Sequence, residues 1–273
     1  MEKQPVLFLD SGIGGIPYCR HFLKRNTGEN IVYLADRRHF PYGRRNKNEL
    51  TGILGPLIEQ LIQTFNPKIA VLACNTATLA ALSDLRDRFP ALPFVGTIPA
   101  VKPAALASKT GKIGVLGTEL TIKEPNIREL AARYGNNKII GIAAPELVKF
   151  IENNLFTATE ETTQHMVRDY LSRFRAAGAD TLVLGCTHFL FLQEDFQQEA
   201  APDITVFDSL MGITLRIESL LGAGLLHEKN RKKSTAPSKR QGCLLLTGPE
   251  PPEPSWAHWA DHLGFQLSLL EIP

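Results

Sequence analysis

Two cysteines close short apolar runs and are followed at once by hydrogen-bonding side chains. These are Val71-Leu72-Ala73-Cys74-Asn75-Thr76 and Val183-Leu184-Gly185-Cys186-Thr187-His188. A thiol at a helix N-terminus is biased toward the thiolate by the helix dipole, so a strand-end cysteine that opens a helix is a candidate base. Two such groups suit one reaction class well. Inverting a stereocentre by proton transfer needs a base on one face of a carbon and an acid on the other, with the roles exchanged in the reverse direction. Other chemistries fit less well. Cysteine and histidine with one residue between them are not a usual zinc spacing, and no second ligand pair follows. A Cys–His hydrolase would use one thiol and leave its twin unexplained. A free cysteine elsewhere is usually a small buried hydrophobe, which is how Cys19 and Cys243 read.

The elements that must position these thiols are short apolar strands separated by helices. Strand-like runs are Pro5–Asp10, Asn30–Asp36, Lys68–Asn75, Pro93–Ile98, Lys112–Thr118, Lys138–Ala143, Thr181–Cys186 and Ile204–Asp208, with Cys243–Thr247 and Phe265–Leu270 near the end. The first eight are almost wholly apolar rather than alternating, as expected of strands covered on both faces in a parallel sheet. Between them, Leu50, Ile53, Leu54, Leu57, Ile58, Leu61, Ile62 and Phe65 form a helical stripe that Gly55-Pro56 can bend. A second stripe, Met166, Val167, Tyr170, Leu171 and Phe174, stops at Gly178. Strand–helix alternation means α/β architecture. The run ending in Cys74-Asn75-Thr76 matches that ending in Cys186-Thr187-His188, and Val6–Ser11 matches Ile113–Thr118, which implies two similar halves. Ligands in open α/β sheets sit beyond the carboxyl ends of the strands. That rule draws Asp10, Ser11, Asp36, Thr118 and Asp208 into the candidate site with the two thiols. The stretch Gly12-Ile13-Gly14-Gly15 fails as a dinucleotide loop because Pro17 stands where a third glycine is needed. Its glycines are expected instead to let the backbone approach a small anionic or zwitterionic ligand.

Composition narrows the partners. The 273 residues carry a net charge of +2, with 44% hydrophobic and 21% charged residues, which gives no reason to propose nucleic acid or a membrane. No run is long enough to span a bilayer, and Val6–Leu9 is too short for a signal-peptide core. Four widely spaced cysteines in a chain of this length read as free thiols in a reduced, cytoplasmic protein. The basic stretch His227–Gly242, with Lys229, Arg231, Lys232, Lys233, Lys239 and Arg240, reads as a solvated loop.

Taken together the motifs resemble the bacterial glutamate racemases, within the family of cofactor-independent aspartate/glutamate racemases. The matching segments are Phe8–Gly15, Tyr33–Asp36 with Phe40–Gly43, Ala73–Thr78, Gly96–Ala100 with Lys102–Ala104, Gly114–Thr118 with Thr121, Leu184–His188, Phe207–Ser209 and Leu246–Gly248. The resemblance implies two pseudo-symmetric doubly wound lobes with mainly parallel sheets and an active site in the cleft between them. The first lobe would hold 1–98 and 209–273, the second 99–208. Cys74 would handle the proton of D-glutamate and Cys186 that of L-glutamate. Asp10 would support Cys74, and Glu152 and His188 would support Cys186. Ser11, Asn75, Thr76, Thr118, Thr121 and Thr187 would hold the α-amino and α-carboxylate groups, with Pro41, Tyr42 and Gly43 on the side-chain carboxylate. The resemblance also implies no metal or other cofactor, a homodimer, and supply of D-glutamate for peptidoglycan, the polymer of cell wall and cell shape.

Some positions depart from the family pattern. Phe189-Leu190 replace a usual Tyr-Pro, so the helix start after His188 is expected to differ. Glu124 stands for a common serine and Ala144 for a frequent cysteine, both placed to alter a pocket wall. With nine residues before Asp10, the extension that enterobacterial members use for activation by a cell-wall precursor is not expected. Rival readings are a racemase for aspartate or another amino acid, a one-cysteine decarboxylase of the superfamily, and a non-catalytic binding protein.

Overall fold

The computed structural model describes residues 4–26, 28–227, 242–248 and 252–271. The basic stretch at 228–241 and the prolines at 249 and 251 lie outside the described residues. Strands are β1 (Val6–Asp10), β2 (Ile31–Ala35), β3 (Ile69–Leu72), β4 (Phe94–Gly96) and β5 (Lys112–Gly117). They continue with β6 (Lys138–Ala143), β7 (Thr181–Gly185), β8 (Thr205–Phe207), β9 (Gly242–Leu246) and β10 (Gln266–Leu269). Helices are α1 (Ile16–Arg25), α2 (Lys47–Phe65), α3 (Asn75–Arg88), α4 (Val101–Ala107), α5 (Glu119–Lys123) and α6 (Pro125–Arg133). After them come α7 (Pro145–Asn154), α8 (Glu160–Ala176), α9 (Gln193–Ala200), α10 (Leu210–His227) and α11 (Pro254–Leu263).

The chain divides into two compact units, Met1–Thr97 with Leu210–Pro273, and Ile98–Ser209. The first holds a six-stranded sheet in the order β10-β9-β2-β1-β3-β4, the second a four-stranded sheet in the order β6-β5-β7-β8. Every pairing is parallel. The repeat expected from the paired cysteine motifs is visible in this order. Strands β2-β1-β3-β4 and β6-β5-β7-β8 follow the same path, and β9 and β10 extend only the first. In this winding the path reverses between β1 and β3, and again between β5 and β7, the places where doubly wound sheets bind ligands.

Packing explains the apolar runs. All five residues of β1 and of β2 are buried, as are all five of β7. In the second unit Ile113, Val115 and Val183 face Val101, Ala104, Ile127 and Ala131 from α4 and α6. Gly114 points the other way, where a Cβ would stand 2.7 Å from the Phe174 ring of α8, so the opposite face is covered too. The expectation of strands buried on both faces fails at β6 and β8. They are the two edges of their sheet; only Ile142 is buried within β6, and no residue is buried within β8.

Helix boundaries follow local chemistry. Asn46 caps α2 in a reciprocal box, accepting from Glu49 N at 3.0 Å while Asn46 N donates to the Glu49 carboxylate at 3.0 Å. The helix then runs unbroken through Pro56 to Phe65. Past the end of α8, Gly178 adopts φ +77, a conformation costly for any residue with a Cβ.

Candidate functional site

In the first unit three strand ends lie side by side. Asp36 N donates to Asp10 O at 2.8 Å, and Ala73 N donates to Leu9 O at 2.8 Å, which sets Asp36, Asp10 and Cys74 in a row beyond β2, β1 and β3. Cys74 is the N-cap of α3, a fourteen-residue helix, and is 7% exposed. The sequence reading of a thiol opening a helix therefore holds at this position. Asp10 is fully buried, and one of its carboxylate oxygens accepts from Ser11 Oγ at 3.2 Å and Gly12 N at 3.1 Å. Asn75 is 2% exposed, and neither its amide nitrogen nor its amide oxygen has a partner among the described residues. Buried carboxamides are almost always hydrogen-bonded, which sets this one apart. Thr76 is buried beside it.

The glycine loop after β1 packs tightly at Gly15. A Cβ on Gly15 would stand 2.7 Å from Ala73 Cβ and 3.0 Å from the Tyr33 hydroxyl oxygen. Gly15 thus packs closely against the residue before Cys74. Tyr33 locks the loop, donating to Gly12 O at 2.8 Å and accepting from Gly15 N at 3.1 Å. Sequence reasoning missed Tyr33; its signal was one polar aromatic inside the apolar run of β2.

Tyr42 opens a single 3-10 turn, Tyr42–Arg44, and is 1% exposed. Its hydroxyl donates to Asp36 Oδ2 at 2.6 Å. Burial pushes this phenol well above its usual range, and the charges of Asp36, Cys74 and Asp10 add to the effect. The hydroxyl is therefore a committed neutral donor. Asp36 does not cap the turn that follows it. Instead, fully buried, it accepts from Tyr42, from His39 Nδ1 at 2.9 Å and from Thr247 Oγ1 at 2.6 Å. Spacing could not reveal this cluster, because Thr247 lies 211 residues away in the chain.

In the second unit, Gly117 pairs with Gly185, so Thr118 beyond β5 neighbours Cys186 beyond β7. Thr118 caps α5, its Oγ1 accepting from Thr121 N at 3.3 Å and lying 3.0 Å from Thr121 Oγ1. Cys186, 6% exposed, opens a 3-10 turn (Thr187–Leu192) that leads into α9. The expected helix start is thus displaced to Gln193, in line with Phe189-Leu190 standing where the family has Tyr-Pro. Thr187 is buried within the turn.

A relay runs from this thiol into the protein. Cys186 Sγ lies 3.8 Å from His188 Nδ1, and His188 Nε2 lies 2.7 Å from Glu152 Oε1. Glu152 projects from α7, which packs on the 3-10 turn. Burial works against a charged imidazole at His188. The hydrogen bonds with Cys186 and Glu152, and their charges, outweigh it and hold His188 well above the ordinary histidine value. A charged His188 would set its positive charge 3.8 Å from the Cys186 sulfur.

Other strand-end groups are otherwise engaged. Asp208 accepts from Gln193 Nε2 at 2.8 Å. Glu124 sits at the α5–α6 junction and accepts from Asn126 at 2.8 Å, while Ala144 is the buried residue before α7. Cys19 is buried, and Cys243 is half-buried. Among the described residues no group of three or more His, Cys, Asp or Glu is arranged to hold a metal ion. Nor is any described helix long and apolar enough to cross a membrane.

A parallel doubly wound pair of sheets, each with a buried thiol beside its reversal point, is the architecture of an amino-acid racemase. The chain belongs to the Asp/Glu/hydantoin racemase family, whose model matches residues 28–211. It is 38% identical over 231 residues to the glutamate racemase of Roseiflexus sp. (strain RS-1), covering 84% of each chain. Its identity to the glutamate racemase of Herpetosiphon aurantiacus is 37% over 224 residues, 82% of this chain and 87% of that one. Among solved structures, Escherichia coli glutamate racemase in complex with L-glutamate and the activator UDP-MurNAc-ala superposes with a TM-score of 0.82. That match has 27% identity and covers 98% of this chain and 97% of the other. The isoform RacE1 from Bacillus anthracis gives a TM-score of 0.76 at 28% identity, covering 100% and 98%.

Proposed function

We propose that the protein is a glutamate racemase that interconverts L- and D-glutamate by proton transfer at the α-carbon, with Cys74 and Cys186 as the two bases. The observation that carries this reading is the pair of buried thiols, each beyond the third strand of an identically wound sheet. Cys74 removes the α-proton of D-glutamate and Cys186 that of L-glutamate; whichever thiol remains protonated delivers its proton to the opposite face. Asp10 supports Cys74. His188, oriented by Glu152, supports Cys186.

Substrate would be held by groups at the same strand ends. Ser11, Asn75, Thr76, Thr118, Thr121 and Thr187 bind the α-amino and α-carboxylate groups, and the unpartnered carboxamide of Asn75 favours such a role. Pro41, Tyr42 and Gly43 form the turn for the side-chain carboxylate. The backbone N–H groups of Tyr42 and Gly43 find no acceptor among the described residues, as expected at the start of a helical turn. The reaction as written calls on no cofactor. A cytoplasmic homodimer supplying D-glutamate for peptidoglycan fits the curated relatives' shared name.

The test is racemisation in deuterated water. Loss of optical rotation from either enantiomer, with deuterium entering the α-carbon, is the expected result. Cys74→Ser and Cys186→Ser should each reduce the rate by about a hundredfold to ten-thousandfold. Exchange with aspartate and none with glutamate would overturn the substrate assignment, and full activity in either variant would overturn the two-base mechanism.

A further inference from the structure

The turn at Pro41–Gly43 is short, and its own hydrogen bonds are few. Arg44 N donates to Pro41 O at 3.3 Å and Arg45 N donates to Tyr42 O at 3.0 Å. What fixes it lies at the other end of the chain. Thr247 follows β9, which pairs with β2 in parallel register up to Ala35 and Leu246. Its backbone N–H donates to Ala35 O at 3.1 Å, continuing the ladder by one residue. Its side-chain oxygen then serves two purposes, donating to Asp36 Oδ1 at 2.6 Å and accepting from Arg38 N at 3.1 Å.

Further contacts from the C-terminal segment close over the same loop. Arg37 pairs with Glu253 at 2.6 Å, and its guanidinium lies 6.0 Å from the Trp256 ring centroid. Gly248, at φ +105, turns the chain away in a conformation that excludes most side chains. A Cβ there would stand 3.4 Å from Arg38 N. The carboxylate of Asp36 is thereby held from two sides. Thr247 and His39 fix it, and it in turn fixes the Tyr42 hydroxyl at 2.6 Å.

We propose that Thr247 is a positioning residue for the substrate's side-chain carboxylate, acting through Asp36 and Tyr42 on the Pro41–Gly43 turn. This rests on the reading of that turn as the carboxylate-binding element of a glutamate racemase. Thr247 touches no reacting atom, so its effect falls on binding more than on the proton transfers. Removing its hydroxyl leaves the buried Asp36 oxygen short of a donor and Arg38 N short of an acceptor, and the turn loosens.

Valine keeps the branched shape of threonine, and serine keeps the hydroxyl. Thr247→Val should therefore raise KM for glutamate about tenfold with kcat within about threefold, while Thr247→Ser stays near the parent. Amide hydrogen exchange separates the clamp from the substrate assignment. In Thr247→Val the amides of residues 37–45 should exchange about tenfold faster, with those of β1 and β3 unchanged. Unchanged exchange at 37–45 overturns the proposal whatever the kinetics. Faster exchange without a rise in KM overturns the link to substrate. A fall in kcat alone, or equal defects in the valine and serine variants, also overturns it. If the parent protein does not racemise glutamate, the functional reading fails and the exchange result alone decides whether Thr247 holds the loop.

Discussion

Replacing Glu152 by glutamine keeps the shape of the side chain and removes the negative charge that faces His188 Nε2 at 2.7 Å. The His188 side chain is 5% exposed and that of Glu152 11%, so solvent screens the pair little. A hydrogen bond to a charged partner in such surroundings is worth about 1.5–3 kcal/mol. Expressed in full at the transition state, its loss lowers kcat/KM by about 10- to 150-fold. L- and D-glutamate have equal free energy in water, so the equilibrium constant is unity, and the fall must be equal in the two directions. Stability carries the same signature. His188 is held above its unfolded value, because its bonds with Cys186 and Glu152 outweigh the burial that opposes its charge. A raised value means a stabilising contribution complete below the unfolded value of about 6.5 and lost as pH climbs through the folded one. Unfolding in urea, measured from below that pH to well above it, should show the parent protein weakening with rising pH and Glu152→Gln weakening less. A glutamine variant with the parent's pH slope and the parent's kcat/KM would refute the relay.

Two further substitutions separate the site from its scaffold. Gly15→Ala sets a methyl group 2.7 Å from Ala73 Cβ, next to Cys74, which should cost about 1–3 kcal/mol and lower Tm by about 2–12 °C, with kcat/KM reduced as Cys74 shifts. A thermal melt and an assay at low temperature check it, and an unaffected Tm would mean that the loop yields freely. Asn46→Ala removes the cap of α2 and should cost about 1 kcal/mol of stability in a urea titration with kcat/KM unchanged; a large fall in activity would show that α2 reaches the chemistry.

Parallel α/β architecture and the strand-end positions of the two thiols were legible in the sequence. Both rest on local patterns: apolar runs of strand length, and small polar residues where each run stops. The internal repeat was legible for the same reason, since Cys74-Asn75-Thr76 and Cys186-Thr187-His188 end corresponding strands of identically wound sheets. His188 was legible because it lies two residues from its thiol. Other features were decided only by tertiary structure. The edge position of β6 depends on strand order, which an apolar run does not encode. After Cys186 the chain takes a 3-10 turn whose Phe189 and Leu190 are buried, a conformation that the local pattern did not reveal. Glu152 owes its partner to the packing of α7 on that turn, and Tyr33 had no role assigned to it until its hydroxyl met Gly12 and Gly15. Asp36 shows the limit most clearly. Its place at a strand end marked it as a candidate, but β9 pairs with β2 and brings Thr247 to it across 211 residues. Short-range spacing shows which groups can do chemistry. Which partners they find is set by chain pairing at a distance, where burial makes an unsatisfied polar group too costly to leave alone.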